Sequence, residues 1–131
     1  MSDTCMIHVA IIDGDESICR SMSRLLKAAG MESKTFDSGE LFLSQCQDHH
    51  FDCVLLDIQL DGMSGLELYD ELNHIGFSTP VLFITSNDAA DVRTQAQDAG
   101  CAGFFRKSDP GAELLSAIHR VASKPLSRIS P

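Results

Sequence analysis

Short apolar runs alternate along the chain with segments whose apolar residues recur at helical spacing. Such runs are typical of buried parallel strands, and apolar residues three or four positions apart mark the buried face of a helix. The first run, residues 7–12, predicts a strand, and a less apolar strand is predicted at Glu32–Phe36. Between them, a helix that ends before Gly30 is predicted by Ile18, Met22, Leu25 and Leu26.

The same alternation continues to about residue 122. Three further strands are predicted at residues 53–56, Val81–Thr85 and 102–105. Asp37 and Glu40 predict a capping box at the start of the second helix. The remaining helical positions lie around Leu41 and Phe42, around Leu68, Leu72 and Ile75, from Asn87 or Asp88 to about Ala99, and around Leu114, Ile118 and Val121. Five successive strand–helix units predict an α/β fold, a doubly wound five-stranded parallel sheet between two helical layers.

The length of the chain, 131 residues, fits one domain. We expect that domain to cover residues 1–122. Residues 123–131 contain two prolines and show no periodicity, which predicts a C-terminal tail or the start of a linker.

Charge and cysteine content narrow the classes of function. Acidic residues outnumber basic ones by 19 to 10, which gives a formal net charge of −9. An acidic surface repels phosphate backbones, so we expect no direct binding to nucleic acid. The apolar runs are too short to cross a bilayer, and the N-terminus does not have the pattern of a signal peptide. The five cysteines are odd in number and form no C-x-x-C motif, which predicts reduced thiols in a cytoplasmic protein.

Chemically active side chains follow four of the predicted strands. Asp13 follows the first strand, Asp57 the third and Lys107 the fifth, and Thr85 ends the fourth. In open parallel sheets, ligands bind beyond the carboxyl ends of the strands, so we expect these residues to share one edge. Carboxylates suit a hard cation such as Mg²⁺, whereas an ammonium and a hydroxyl suit phosphoryl oxygens. Each residue alone could instead be an ordinary turn or cap residue.

Three stretches resemble the receiver domain of two-component response regulators. The longest runs from Asp57 to Leu68 and includes a Met-Ser-Gly sequence at the spacing of that family. The pair Thr85-Ser86 resembles the family's hydroxyl position with its small neighbour. The stretch from Phe104 to Lys107 resembles its aromatic–x–x–Lys pattern. The resemblance covers roughly residues 6–122 and implies a flavodoxin-like fold.

The resemblance implies a role for each matching residue. Asp57 would accept a phosphoryl group from a sensor histidine kinase or a phosphotransfer protein. Asp13, Asp57 and the Gln59 backbone carbonyl would bind Mg²⁺. Thr85 and Lys107 would hold the phosphoryl oxygens. Phe104 would be the aromatic switch residue, which moves inward when Thr85 shifts towards the phosphoryl group.

The resemblance also implies a signalling domain rather than an enzyme, with self-catalysed phosphoryl transfer to Asp57 and hydrolysis from it. Its output would be a change in the face formed by the fourth helix, fifth strand and fifth helix. That face would bind a downstream protein, act on a C-terminal output domain missing from this chain, or mediate dimerisation.

Three positions depart from the family pattern. Gly14 stands where the family has a second acidic metal ligand, so Asp15 becomes a further candidate ligand and weak Mg²⁺ binding is expected. Lys107 is followed by Ser108 where the family usually has a cis-proline. Asp61 stands where a proline is common. The first departure leaves open an atypical receiver that acts as a protein-interaction module with little or no phosphorylation.

Two other interpretations fit some of these residues. The sequence from Asp13 to Ser17 resembles the D-x-D signature of haloacid-dehalogenase-type phosphatases, in which Asp13 would be the nucleophile. That alternative leaves the Asp57 motif unexplained. A zinc site could be built from Cys46, His49, His50 and Cys53, although a helix end, an exposed loop and a strand start explain the same residues.

Overall fold

The computed structural model describes residues 6–60, 62–85, 94, 97–98, 100–107 and 110–122. Its strands are all parallel and form one sheet in the order β2-β1-β3-β4-β5. They are β1 His8–Ile12, β2 Glu32–Phe36, β3 Cys53–Asp57, β4 Val81–Thr85 and β5 Gly103–Arg106. The helices are α1 Glu16–Ala28, α2 Gly39–Gln45, α3 Gly65–His74 and a C-terminal helix, Gly111–Ala122.

The doubly wound architecture predicted from the alternating pattern is confirmed. Side chains of successive strand residues point to opposite faces of the sheet, so each central strand contributes to two cores. One core packs α1 and the C-terminal helix against Val9, Ile11, Leu55 and Ile84. The other packs α2 and α3 against Ala10, Ile12, Leu56 and Phe83. Because β3 and β4 are buried along their whole length, they fix the two carboxyl ends that carry Asp57 and Thr85.

The first helix begins and ends as its sequence dictates. Asp15 is its N-cap, and the side chain accepts hydrogen bonds from the backbone amides of Ser17 and Ile18. Ala29 follows as the C-cap, and Gly30 then has a φ of 83°, a left-handed conformation that glycine adopts without steric cost. The predicted stop at Gly30 is therefore confirmed.

Some predicted boundaries were wrong by one residue, and one cap was wrong. Ser38, not Asp37, caps α2, because its hydroxyl accepts from the Leu41 amide. The only capping box in the described part of the chain is at α3, where Ser64 and Glu67 bond reciprocally. β1 begins at residue 8 instead of residue 7, and β3 continues through residue 57 instead of ending at residue 56. β5 covers residues 103–106 instead of 102–105.

The predicted helix from Asn87 or Asp88 to Ala99 lies largely outside the described residues. The expectations at Asp61, Ser86 and Ser108, and the tail at residues 123–131, also lie outside them. None of the helices that the structure describes is long and apolar enough to cross a membrane.

Candidate functional site

The site lies where the order of the strands reverses direction. β1 pairs with β2 on one side and with β3 on the other, so the connections leaving β1 and β3 diverge at their carboxyl ends. This divergence opens the crevice in which doubly wound sheets bind ligands. Asp13 directly follows β1 and Asp57 ends β3, so the two carboxylates flank that crevice.

Asp13 is held rigidly despite its charge. The residue is 1% exposed, and its amide donates to the carbonyl of Phe36 at the end of β2. Its Oδ1 accepts a hydrogen bond of 2.9 Å from the Asp15 amide. Its Oδ2 is buried and lies 2.7 Å from the Nζ of Lys107. Among the described residues, no donor makes a hydrogen bond of regular geometry to Oδ2. The contact with Lys107 is therefore an ion pair.

Asp57 is the second buried carboxylate. Its Oδ1 accepts a hydrogen bond of 3.0 Å from the Gln59 amide, and its Oδ2 accepts one of 3.2 Å from Lys107 Nζ. Burial raises the pKa of Asp57, and the nearby Asp13 carboxylate raises it further. The Gln59 hydrogen bond and the Lys107 charge oppose that rise. The group is therefore a desolvated carboxylate held in one orientation.

Lys107 joins the two carboxylates. Its ammonium lies 2.7 Å from Asp13 and 3.2 Å from Asp57. Burial alone would lower the pKa of Lys107, but the two carboxylates raise it above its usual value, so the side chain stays charged. Its backbone amide also donates to the Thr85 carbonyl at 2.8 Å, which ties the end of β5 to the end of β4.

Thr85 and Phe104 connect this edge to the rest of the sheet. Thr85 is fully buried at the end of β4 and pairs in register with Arg106. Phe104 pairs in register with Phe83 and packs against the core formed by α2 and α3. Thr85 and Phe104 therefore lie on two adjoining strands that are paired in register.

The two residues that follow Asp13 do not place a carboxylate among the buried acids of the site. Asp15 is fully exposed, and its carboxylate is engaged as the cap of α1. These cap hydrogen bonds lower the pKa of Asp15. Gly14 is exposed, and its φ lies outside the left-handed region.

Comparison with known proteins assigns the family. The sequence model described as the response regulator receiver domain matches residues 9–119. The chain is a response regulator receiver domain. It therefore belongs to a different family from the haloacid-dehalogenase-type phosphatases that the Asp13 motif resembles.

Related proteins agree with this assignment. The receiver domain is 30% identical over 118 residues to the response regulator protein TodT of Pseudomonas putida, covering 90% of this chain and 52% of the relative. It thus spans about half the length of that protein. A response regulator receiver protein from Burkholderia phymatum is 33% identical, with a TM-score of 0.79 over 89% of this chain and 95% of the other. The BeF₃-activated receiver domain of DrrB is 26% identical, with a TM-score of 0.79 over 89% and 97%.

The donor set of the receiver domain fits one hard divalent cation. Asp13 and Asp57 offer carboxylate oxygens at the same crevice, the Gln59 backbone carbonyl lies two residues from Asp57, and buried Asp13 Oδ2 faces an ammonium. Oxygen donors of this kind are those that Mg²⁺ prefers. Among the described residues, no group of three or more His, Cys, Asp or Glu side chains is placed to hold a metal.

The zinc interpretation was wrong. Cys46 packs in the core between the sheet and α2, whereas Cys53 packs in the core on the opposite face of the sheet. Side chains on opposite faces of a sheet cannot share a tetrahedral ion. His50 instead lies 3.3 Å from the carboxylate of Asp52, in an exposed loop.

Sequence reasoning named Gly65 only as part of the Met-Ser-Gly sequence and Asp15 only as a candidate ligand, so it missed the structural role of both. Gly65 packs against the backbone of Asp57 and Ile58 so closely that a Cβ there would lie 2.7 Å from Ile58 Cα. Asp15 was considered as a ligand but is the cap of α1. Its position directly before an amphipathic helix was the available signal for a cap.

Proposed function

We propose that Asp57 accepts a phosphoryl group from the phosphohistidine of a sensor histidine kinase or a phosphotransfer protein. Attack by a carboxylate oxygen on phosphorus breaks the phosphorus–nitrogen bond and leaves an aspartyl phosphate and a free imidazole. The supporting observation is the constellation at one edge of the sheet: buried Asp57, adjacent Asp13, and Lys107 within reach of both.

The residues around Asp57 match the needs of this transfer. The phosphoryl group is strongly anionic, so its transfer is helped mainly by groups that hold it and neutralise its charge. Lys107 supplies a charge already 3.2 Å from Asp57 Oδ2, and the Gln59 amide fixes Oδ1. Thr85, at the end of the neighbouring strand, is the proposed hydroxyl donor to a phosphoryl oxygen.

Asp13, Asp57 and the Gln59 backbone carbonyl are the proposed Mg²⁺ ligands, with Asp15 ranked below them because its carboxylate caps α1. When bound, the cation supplies positive charge to the phosphoryl oxygens during transfer. Asp13 Oδ2 supports this assignment, since it is buried beside a cation but receives no aligned hydrogen bond from a described residue.

The proposed output follows from the connection between β4 and β5. If Lys107 and Thr85 turn towards a phosphoryl group, the paired strands carry that change to Phe104. The population of conformations at the face formed by the predicted fourth helix, β5 and the C-terminal helix would then shift. This face would bind a downstream protein, act on a C-terminal output domain, or mediate dimerisation. We propose that these events occur in the cytoplasm.

A second candidate function is an atypical receiver that signals by protein contact with little or no phosphorylation. Gly14 is the observation that favours it, because position 14 contributes no carboxylate to the site. The buried carboxylates of Asp13 and Asp57, both paired with Lys107, favour the first candidate, phosphorylation of Asp57.

Binding of beryllofluoride separates the two candidates. We expect BeF₃⁻ with Mg²⁺ to shift the amide NMR signals of Asp57, Thr85 and Phe104 in the unmodified protein. The Asp57→Asn variant, which keeps the shape but not the carboxylate oxygen that coordinates beryllium, should show no such shifts. Unchanged spectra of the unmodified protein at high Mg²⁺ would favour the interaction module.

A further inference from the structure

Tyr69 connects the third helix to the chain that leads into β5. It lies in the middle of α3, and its half-buried ring packs against the core formed by α2 and α3. Its hydroxyl donates a hydrogen bond of 3.1 Å to the carbonyl of Gly100, three residues before β5 begins. Burial raises the pKa of Tyr69, so the hydroxyl stays protonated at neutral pH and remains a donor.

The ring of Tyr69 lies on the same face of the sheet as Phe104. The rings of Tyr69 and Phe83 meet edge to face, with 5.4 Å between their centroids. Phe83 pairs in register with Phe104, and both pack against the core formed by α2 and α3. Residues paired in register on adjoining strands point to the same face. Tyr69 therefore contacts the strand pair that carries Phe104 from the side on which Phe104 packs.

Gly100 lies at the turn from which the chain enters β5. Its φ is 87°, and its amide donates to the Gln97 carbonyl at 3.1 Å. Two residues later, the Ala102 amide donates to the Val81 carbonyl at 2.9 Å, where the pairing of β4 with β5 starts. The carbonyl that accepts from Tyr69 thus belongs to the residue that directs the chain into β5.

A groove of about 630 Å³ runs between α3 and this turn. Leu72 and Asn73 of α3 line one side of it, and Gly100 and Ala102 line the other. The hydrogen bond from Tyr69 to Gly100 joins the two sides directly.

We propose that Tyr69 is a positioning residue that holds the start of β5 against α3 and thereby limits the movement of Phe104. The proposal rests on the proposed function, in which phosphorylation of Asp57 moves Phe104. The hydroxyl stabilises the observed conformation, in which Lys107 contacts Asp57. Loss of this hydroxyl raises the population of the switched conformation. A ligand that binds the switched conformation then gains apparent affinity by the factor by which that population rises.

A beryllofluoride titration at fixed Mg²⁺ concentration tests this role. Tyr69→Phe keeps the ring against Phe83 and removes only the hydroxyl. We expect the variant to bind BeF₃⁻ about threefold more tightly than the unmodified protein, the effect of one hydrogen bond at the lower end of its usual strength. The amide NMR signal of Phe104 reports the binding. A merely structural role would lower the melting temperature without tightening BeF₃⁻ binding, so unchanged or weaker binding would overturn the proposal.

Thr79→Val is the matched control. The Thr79 hydroxyl donates to the Phe51 carbonyl at 3.2 Å, and Thr79 lines the same groove. The variant therefore also loses one hydrogen bond from a hydroxyl to a carbonyl. That bond joins the segments before β3 and β4 and does not involve β5, so the affinity for BeF₃⁻ should stay unchanged. Equal tightening in both variants would overturn the specific role of Tyr69.

Amide hydrogen exchange without any phosphoryl analogue tests the attachment of β5 itself. The Ala102 amide should exchange about threefold faster in Tyr69→Phe than in the unmodified protein, because the start of β5 opens more often once one hydrogen bond is lost. In Thr79→Val it should exchange at the unmodified rate. An unchanged rate in Tyr69→Phe would overturn the attachment.

Failure of this proposal can be distinguished from failure of the proposed function. Equal BeF₃⁻ affinities of the unmodified protein and Tyr69→Phe would contradict only the role of Tyr69. Faster exchange of Ala102 in Tyr69→Phe alone, with no BeF₃⁻ binding by any of the proteins, would support the attachment and contradict the phosphoryl site.

Discussion

The backbone of Asp57 leaves no room for a side chain on Gly65. A Cβ on Gly65 would lie 2.7 Å from Ile58 Cα, 3.0 Å from the Asp57 carbonyl carbon and closer still to the Asp57 carbonyl oxygen. The Gly65 amide also donates to the Ile58 carbonyl at 2.9 Å, so the start of α3 is fixed against the end of β3. The position of Asp57 therefore depends on a glycine eight residues away in sequence.

Gly65→Ala should destabilise the domain by about 2 kcal/mol, because the added methyl group collides with backbone that cannot rotate away. The melting temperature should fall by about 4 °C for each kcal/mol in a domain of this size. Gly39→Ala is the control, since a Cβ there would meet side chains at 3.4 Å or more. Equal melting temperatures for Gly65→Ala and the unmodified protein would contradict the close packing.

Asp57→Asn should raise the melting temperature at pH 7. Burial and the Asp13 carboxylate raise the pKa of Asp57, so its ionised form costs stability at any pH above that pKa. As pH falls through the raised pKa, the folded protein binds a proton before the unfolded chain does. The stability difference between variant and unmodified protein should therefore shrink, and melts at a series of pH values measure it. A difference that grows on acidification would contradict this environment.

Asp15→Asn should leave Mg²⁺-dependent phosphorylation of the protein almost unchanged. Asparagine caps helices as well as aspartate does, so the substitution removes the charge and retains the cap. The measurement is the initial rate of adduct formation as a function of Mg²⁺ concentration. A clear increase in the Mg²⁺ requirement would instead identify Asp15 as a ligand, and an intact melting curve shows that the cap is preserved.

Much of the fold could be predicted because apolar runs and buried strands coincide. β3 and β4 are buried at every residue and were recognised to within one residue. The cap of α2 could not be assigned as easily, because Asp37, Ser38 and Glu40 all suit a helix start, and the hydrogen bond from Leu41 selects Ser38. Local chemistry permitted several caps, so the sequence alone did not distinguish them.

The site could be predicted in part. Asp13, Asp57 and Lys107 follow strands whose ends share one edge, so their proximity was expected from topology. The 2.7 Å and 3.2 Å contacts of Lys107 depend on packing between β4 and β5 and had no local signal. Gly65 was recognised only as part of the Met-Ser-Gly sequence, and the reason that it carries no side chain becomes clear only when α3 is packed against β3.

The buried thiols should resist alkylation in the native protein. Burial raises the pKa of Cys53 to about 12, so little of it is thiolate at neutral pH. Iodoacetamide should leave Cys53 unmodified in native protein and modify it fully in denaturant, as read by peptide mass spectrometry. Cys101, which is only half-buried, is the internal comparison. Modification of Cys53 at equal rates in both conditions would contradict its place in the core.

Formation of an aspartyl phosphate tests the central claim most directly. The protein is incubated with acetyl phosphate and Mg²⁺, and its intact mass is followed beside Asp57→Asn and Asp13→Asn. The account predicts a single phosphoryl adduct in the unmodified protein, a reduced amount in Asp13→Asn and none in Asp57→Asn. No adduct in the unmodified protein at high Mg²⁺, or an adduct that persists in Asp57→Asn, would contradict the assignment of Asp57 as the phosphoryl acceptor.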